Sequence, residues 1–212
     1  MAKARAGRGG FTLVELLVVI CIMAILAGIS TVAIGQFLTS SRAQASDTML
    51  QTMSAALAQY QVRWGDYPPS SLSEIGGRGL NSLNNGIESL VACLASKKRG
   101  PKLFEFTPEQ LRNTDGDKAG SNLTDWYFGE NDLWEYTDLL GFTIIYMHHR
   151  DYARPKPEHL DYLIEAGGEK VKIQPEKSEK TKTFYSSDKF QLRSVGPDGK
   201  PGSGDDLRTG GN

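Results

Sequence analysis

From Phe11 to Leu38 the chain is apolar almost without a break, and Glu15 is the only Asp, Glu, Lys or Arg within it. As a helix this stretch would be roughly 42 Å long, enough to cross about 30 Å of hydrocarbon and protrude. Past it the apolar positions thin to one stripe. Leu50, Met53, Leu57, Tyr60 and Trp64 recur at steps of three and four, while Asp47, Gln51, Ser54 and Gln61 lie opposite. Gly65-Asp66-Tyr67-Pro68-Pro69 then stops the pattern, which predicts one helix from Phe11 to about Trp64.

Shorter patterns follow. Ser71-Leu72-Ser73-Glu74 has capping-box spacing, and Ile87, Leu90, Val91 and Leu94 predict a second helix from about Gly86 to Ser96. The β-branched and aromatic run Phe142 to Met147 predicts a strand. Thr183 to Tyr185 and Lys189 to Arg193 alternate as a hairpin would, with Ser186-Ser187-Asp188 as its turn. Arg150 to Pro157 and Gly167 to Lys182, rich in charge, Pro and Gly, predict loops.

The leader Met1 to Gly10 carries Lys3, Arg5 and Arg8 and no acid, so the positive-inside bias keeps it cytoplasmic and sends the rest of the chain outward. A secretory signal peptide has the same general form. Against it stand the length of the apolar run, its early carboxylate and the lack of an Ala-x-Ala cleavage site. With 39% apolar and 23% charged residues, 212 residues suffice for one membrane helix and one globular domain. Without the three leader cations, 21 basic face 25 acidic side chains, a formal charge of −4. No concentrated basic face suggests nucleic acid as a partner. Cys21 lies in the membrane stretch and Cys93 in the later part, so they are not expected to pair, and Cys93 reads as a small buried hydrophobe.

A carboxylate in a membrane helix costs on the order of 2.5–3.5 kcal/mol at the bilayer centre and less near an end, so Glu15 implies a partner or a function. If the chain is cut after Gly10, the new amino terminus at Phe11 is a cation one turn away. Paired between neighbouring subunits, the two charges would fix packing register, because removing either leaves the other buried and unpaired. Ala24 and Gly28, four apart, would share a face suited to close helix contact.

Gly10 followed by Phe11-Thr12-Leu13-Val14-Glu15 resembles the class III leader junction of type IV pilins and type II secretion pseudopilins. The resemblance implies cleavage between Gly10 and Phe11 by a prepilin peptidase, N-methylation of Phe11, and assembly of the helices into a filament core with Glu15 as the assembly acid. It implies an α+β, type IV pilin-like fold: a long N-terminal helix, half membrane and half amphipathic, packed on a small antiparallel sheet with an extra helix and loops. The domain plan is a leader at 1–10, a transmembrane and filament-core helix at 11–35, and a periplasmic domain at 36–212 that includes the amphipathic helix 36–64. A family proline falls here on Val32, so helix softening would come from Gly28, Ser30, Thr31 and Gly35.

Within the domain, 97–182 is longer than a typical major pseudopilin would have and reads as an inserted, exposed elaboration. His148, His149, Asp151 and His159 invite a metal reading, but adjacent histidines at a strand end point to opposite faces. Asn113-Thr114-Asp115-Gly116-Asp117 alternates oxygen side chains as calcium loops do, yet Lys118 stands where a glycine is expected and no acid holds the twelfth position. A polar turn is the simpler reading there.

Ser194 to Asp206 packs three carboxylates and four glycines into thirteen residues. Calcium takes six to eight oxygens, and glycine-rich backbone turns tightly enough to offer carbonyls beside carboxylates. The segment resembles the C-terminal calcium loop of major pseudopilins. That likeness puts Asp198, Asp205 and Asp206 among the ligands, with the Leu192 and Ser194 carbonyls completing the shell, in a loop spanning 183–212 with its hairpin.

No nucleophile elbow, phosphate loop or His-Glu-x-x-His pattern occurs, so no enzyme is expected. The resemblance implies a structural subunit of a type II secretion pseudopilus, anchored single-pass in the inner membrane with its domain in the periplasm. Its implied partners are copies of itself, the prepilin peptidase, minor pseudopilins, the inner-membrane assembly platform and, before assembly, lipid. The alternative is a type IV pilin of a surface fibre for adhesion, motility or DNA uptake.

Overall fold

A computed structural model describes residues 11–77, 79, 81–95, 101–119 and 132–209. The leader and residues 120–131 lie outside this set, as does the predicted end of the second helix at Ser96. The chain divides into two compact units, one up to Ser40 and one from Ser41. A single helix, α1 (Leu13–Trp64), contributes to both.

In the second unit the predicted stripe is the core. Leu50, Met53 and Leu57 are fully buried, Tyr60 nearly so, and Trp64 stacks on Tyr60 with ring centroids 4.3 Å apart. The helix stops because Gly65 turns left-handed, at φ +85°, while its N–H still bonds the Gln61 carbonyl at 2.8 Å. Asp66 then accepts the Tyr67 N–H at 2.8 Å. Ser71 caps a short 3-10 turn, Leu72–Ile75, rather than an α-helix.

The second helix, α2 (Asn85–Ala95), is buried along its whole length. It follows Asn84, whose side chain is a junction: it receives the Leu163 N–H at 2.8 Å and donates to Thr114 Oγ1 at 3.0 Å and Glu135 Oε1 at 3.1 Å. Against α2 lies β3 (Ile145–His148). The approach is so close that a Cβ on Gly86 would sit 2.3 Å from the Tyr146 carbonyl oxygen and 2.4 Å from the Tyr162 hydroxyl.

The strands form three small antiparallel groups instead of one sheet. β1 (Leu111–Arg112) pairs with β2 (Glu135–Tyr136), and β4 (Asp161–Leu163) pairs with β5 (Lys170–Lys172). The third group has β6 (Phe190–Ser194) between β3 and β7 (Leu207–Arg208). A four-residue turn of helix, α3 (Pro157–Leu160), precedes β4. The architecture is α+β, a long N-terminal helix followed by small antiparallel sheets and an extra helix, as expected.

Three expectations change. The hairpin expected over 183–193 does not form, because β6 takes β3 and β7 as partners and Phe184 instead bridges Lys177. Thr183 to Tyr185 offers too few apolar positions to compete with β3, whose four residues are all buried. The loop expected from Gly167 to Lys182 contains β5, where Val171 turns inward between two exposed lysines. Likewise 97–182 supplies core as well as surface, for Ile144, Tyr146 and Tyr162 are fully buried. Cys21 and Cys93 form no disulfide, and Cys93 Sγ receives the Tyr60 hydroxyl at 3.6 Å.

Gly86→Ala should therefore cost about 1–3 kcal/mol through overpacking. At roughly 2–4 °C per kcal/mol for a chain of this size, the full-length protein in detergent should melt several degrees lower by circular dichroism.

Candidate functional site

Among the described residues, the first unit is α1 up to Ser40 with Phe11 and Thr12 before it. Its large apolar side chains are exposed on every face, from Phe11 at 84% and Leu13 at 80% to Phe37 at 71%. A helix apolar all round needs lipid or other helices against it. Among the described residues α1 is the one helix long and apolar enough, by length and composition, to cross a membrane. Two hydroxyls in this stretch are satisfied within the helix, Thr31 Oγ1 bonding the Ala27 carbonyl at 2.8 Å and Thr39 Oγ1 the Gly35 carbonyl at 3.1 Å. Gly28 has open space where a side chain would stand.

At the start of α1 Glu15 is engaged. Its Oε2 accepts the Thr12 N–H at 2.9 Å and the Thr12 hydroxyl at 2.8 Å, while Thr12 Oγ1 accepts the Glu15 N–H at 3.2 Å. This is a reciprocal capping box, which satisfies orphan donors of the first turn and sets the carboxylate at the positive end of the helix dipole. The Thr12-x-x-Glu15 spacing carries the signal for this box, a partner for Glu15 that the pairing with the Phe11 amine leaves out. The Gly10 side of the cleavage junction lies outside the described residues.

The second candidate is the connection between β6 and β7. Gly196, at φ +66°, pinches its base: a Cβ there would sit 2.2 Å from the Asp205 carbonyl oxygen. Asp198, Asp205 and Asp206 are brought together around the Ser203 hydroxyl, which lies 3.2 Å from Asp198 Oδ1 and from Asp206 Oδ1 and also donates to Asp205. Backbone N–H groups of Lys200, Asp198 and Gly202 bond Asp198, Asp205 and Asp206 respectively, at 2.8, 3.1 and 2.8 Å. The Ser203 hydrogen bond pulls the Asp205 pKa below its usual value, whereas burial pushes that of Asp206 up.

The two carbonyl candidates sit on β6 itself. The Leu192 carbonyl accepts the Thr209 N–H at 3.1 Å, and Ser194 is fully buried, donating its hydroxyl to Asp138. Beneath the loop, Glu176 joins β6 and β7 through Arg193 and through Arg208, the latter at 3.0 Å.

The histidines do not share a centre. His148 and His149 stack at 4.4 Å rather than pointing apart, because the strand ends between them and a 3-10 turn begins. His148 Nε2 faces Asp66 at 3.0 Å and His149 Nδ1 faces the Lys189 carbonyl at 2.8 Å. Burial pushes the His148 pKa down. His159 lies elsewhere, 3.7 Å from Asp151.

Residues 5–31 match the family described as the prokaryotic N-terminal methylation motif, a span that covers the leader junction, Glu15 and the first turns of α1. No curated protein and no solved structure matches the chain. The motif carries with it processing by a prepilin peptidase and pilus-like assembly, and indicates a type IV pilin-like subunit.

Loss of an N-cap costs about 0.5–2 kcal/mol, so Thr12→Ala should speed exchange of the Glu15 amide about 2- to 30-fold in detergent micelles, read by hydrogen–deuterium exchange. Thr12→Ser should leave it unchanged.

Proposed function

We propose that this chain is a structural subunit of a type II secretion pseudopilus, held single-pass in the inner membrane with its second unit in the periplasm until it polymerises. The observation that carries the reading is the capped apolar helix: an exposed hydrophobic surface headed by one carboxylate, directly after a leader junction matching the methylation motif. Cleavage before Phe11 creates a cation beside Glu15. In a filament the Phe11 amine of one subunit and the Glu15 carboxylate of the next would pair, and both would leave water and lipid together. Other partners on this reading are the prepilin peptidase, minor pseudopilins and the assembly platform.

The gathered carboxylates of Asp198, Asp205 and Asp206 support calcium as a structural ion that ties the loop between β6 and β7. With the Leu192 carbonyl bonded to Thr209, carbonyls inside the loop are better placed to add oxygens than those of the strand. A surface pilus is the second reading, favoured by the size of 97–182 and its contribution of β1 to β5.

Co-expressed with a prepilin peptidase, the chain should lose residues 1–10 and gain one methyl group at Phe11 by mass spectrometry. Glu15→Ala should be trimmed and inserted alike, but leaving a charge unpaired costs about 3–5 kcal/mol, so subunit affinity should fall about a hundredfold or more and filaments seen by electron microscopy should become scarce. Wild-type filament yield from that variant would overturn the pairing. A calcium chelator should lower the melting temperature of the full-length protein, and Asp198→Ala should bind one calcium fewer per chain by equilibrium dialysis; an unchanged count would return the loop to a plain polar turn.

A further inference from the structure

The second unit contains a group of buried acids that neither the filament helix nor the C-terminal loop uses. Glu88 on α2, and Asp115 and Asp117 on the turn after β1, each place one carboxylate oxygen within 4.8 Å of the others. Glu88 and Asp117 are each 2% exposed. Neither oxygen of Glu88 has a hydrogen-bond donor, although the side chain is enclosed; what it faces is Asp117, Asp115 and Glu135. On the same turn Asp115 Oδ2 and Asn113 Oδ1 are also buried without a donor.

Glu135 marks the boundary of the group. Its two oxygens are satisfied, one by Asn84 Nδ2 at 3.1 Å and one by the Thr114 N–H at 2.8 Å. The turn itself is braced from within. Asn113 Nδ2 bonds the Asp117 carbonyl at 2.7 Å, the Asp117 N–H bonds Asp115 Oδ1 at 3.2 Å, and Gly116 takes φ +73° between them. The acids are thus held in place by bonds that leave other carboxylate oxygens pointing at one another.

Ionised carboxylates this close in a dry interior repel strongly, and an unpaired buried charge is not tolerated. For Glu88, whose two oxygens have no donor among the described residues, a shared proton or a bound cation would relieve that repulsion. A proton shared between Glu88 and Asp117 serves one pair of oxygens and supplies nothing to Asp115 Oδ2 or Asn113 Oδ1. A cation serves several at once. The donors are all oxygen, with no histidine or cysteine among them, which is the ligand chemistry of calcium and magnesium and not of zinc or copper.

We propose that Glu88, Asp115 and Asp117 hold a divalent cation of the calcium class, with Asn113 Oδ1 as a further oxygen from the same turn. The ion fastens α2 to the segment after β1 and neutralises the one acid that α2 carries into the core. The acid missing from the twelfth position of the Asn113 loop is replaced by Glu88, from a helix upstream in the chain. This site stands apart from the pilin-like reading and from the loop at Asp198.

Calcium binding by the full-length chain in detergent separates the two sites. In an Asp198→Ala background, stripped with a chelator and then titrated with calcium chloride in a calorimeter, one ion per chain should still bind. Adding Glu88→Gln, which keeps the shape and removes the charge, should abolish that ion while circular dichroism shows the fold retained. Should Glu88→Gln misfold, Asp115→Asn takes its place, being only half-buried. No calcium bound in the Asp198→Ala protein overturns the proposal, as does a Glu88→Gln or Asp115→Asn protein that still binds the same ion. So does a calcium-free Asp198→Ala protein that melts at the same temperature after calcium is added while Glu88→Gln melts higher than it at pH 8, the behaviour of a group served by a proton alone.

Discussion

Burial of α2 on all sides is the constraint from which most of the second unit follows. A helix with no solvent-facing side must meet backbone and side chains at every turn, and where it meets β3 it can do so only as glycine, at Gly86. Its start cannot rely on water for its polar groups. Asn84 and Asn85 therefore bond outward to four different segments, the Asn85 carboxamide taking the Leu72 N–H at 2.8 Å. Its middle carries Glu88 into the interior, a position that makes sense only with a neutralising partner. The aromatic layer on the other side, Tyr67 against Phe190 and Tyr146 bonded to the Pro68 carbonyl, closes the turn after α1 over the same core.

The first unit obeys a different physics. Among its described residues the large apolar side chains are exposed, and Thr12, Glu15, Thr31 and Thr39 bond locally, in the Thr12–Glu15 box or back onto their own helix. Such a segment bonds its threonines within itself and leaves its apolar surface open. That combination suits an element whose neighbours are lipid at one time and other helices at another.

The long-range features legible in the sequence were those with strong periodicity. The stripe Leu50 to Trp64, the stop at Gly65 and the helix at 85–95 were readable because several residues repeat each signal. The two- and three-residue strands were not, since Lys170-Val171-Lys172 is too short to show alternation and its pairing with β4 is a tertiary choice. The hairpin expected at 183–193 failed for the same reason: local alternation cannot reveal that β3 is the better partner for β6. Of the candidate sites, the convergence of Asp198, Asp205 and Asp206 was visible as composition, and Asp115 and Asp117 as spacing. Glu88 was invisible, because it reads as an ordinary first-turn acid of an amphipathic helix until the helix is seen to have no outer face.

The capping box at Thr12 sets how the acid can be met. Both Thr12 hydrogen bonds go to Glu15 Oε2, and a carboxylate accepts through two oxygens, so Oε1 keeps its lone pairs for another donor. A cation that comes to Oε1 adds its bond to those of Thr12 instead of displacing them. The side chain is held in one arrangement before that partner arrives, so little rotamer freedom is left to lose when the two meet.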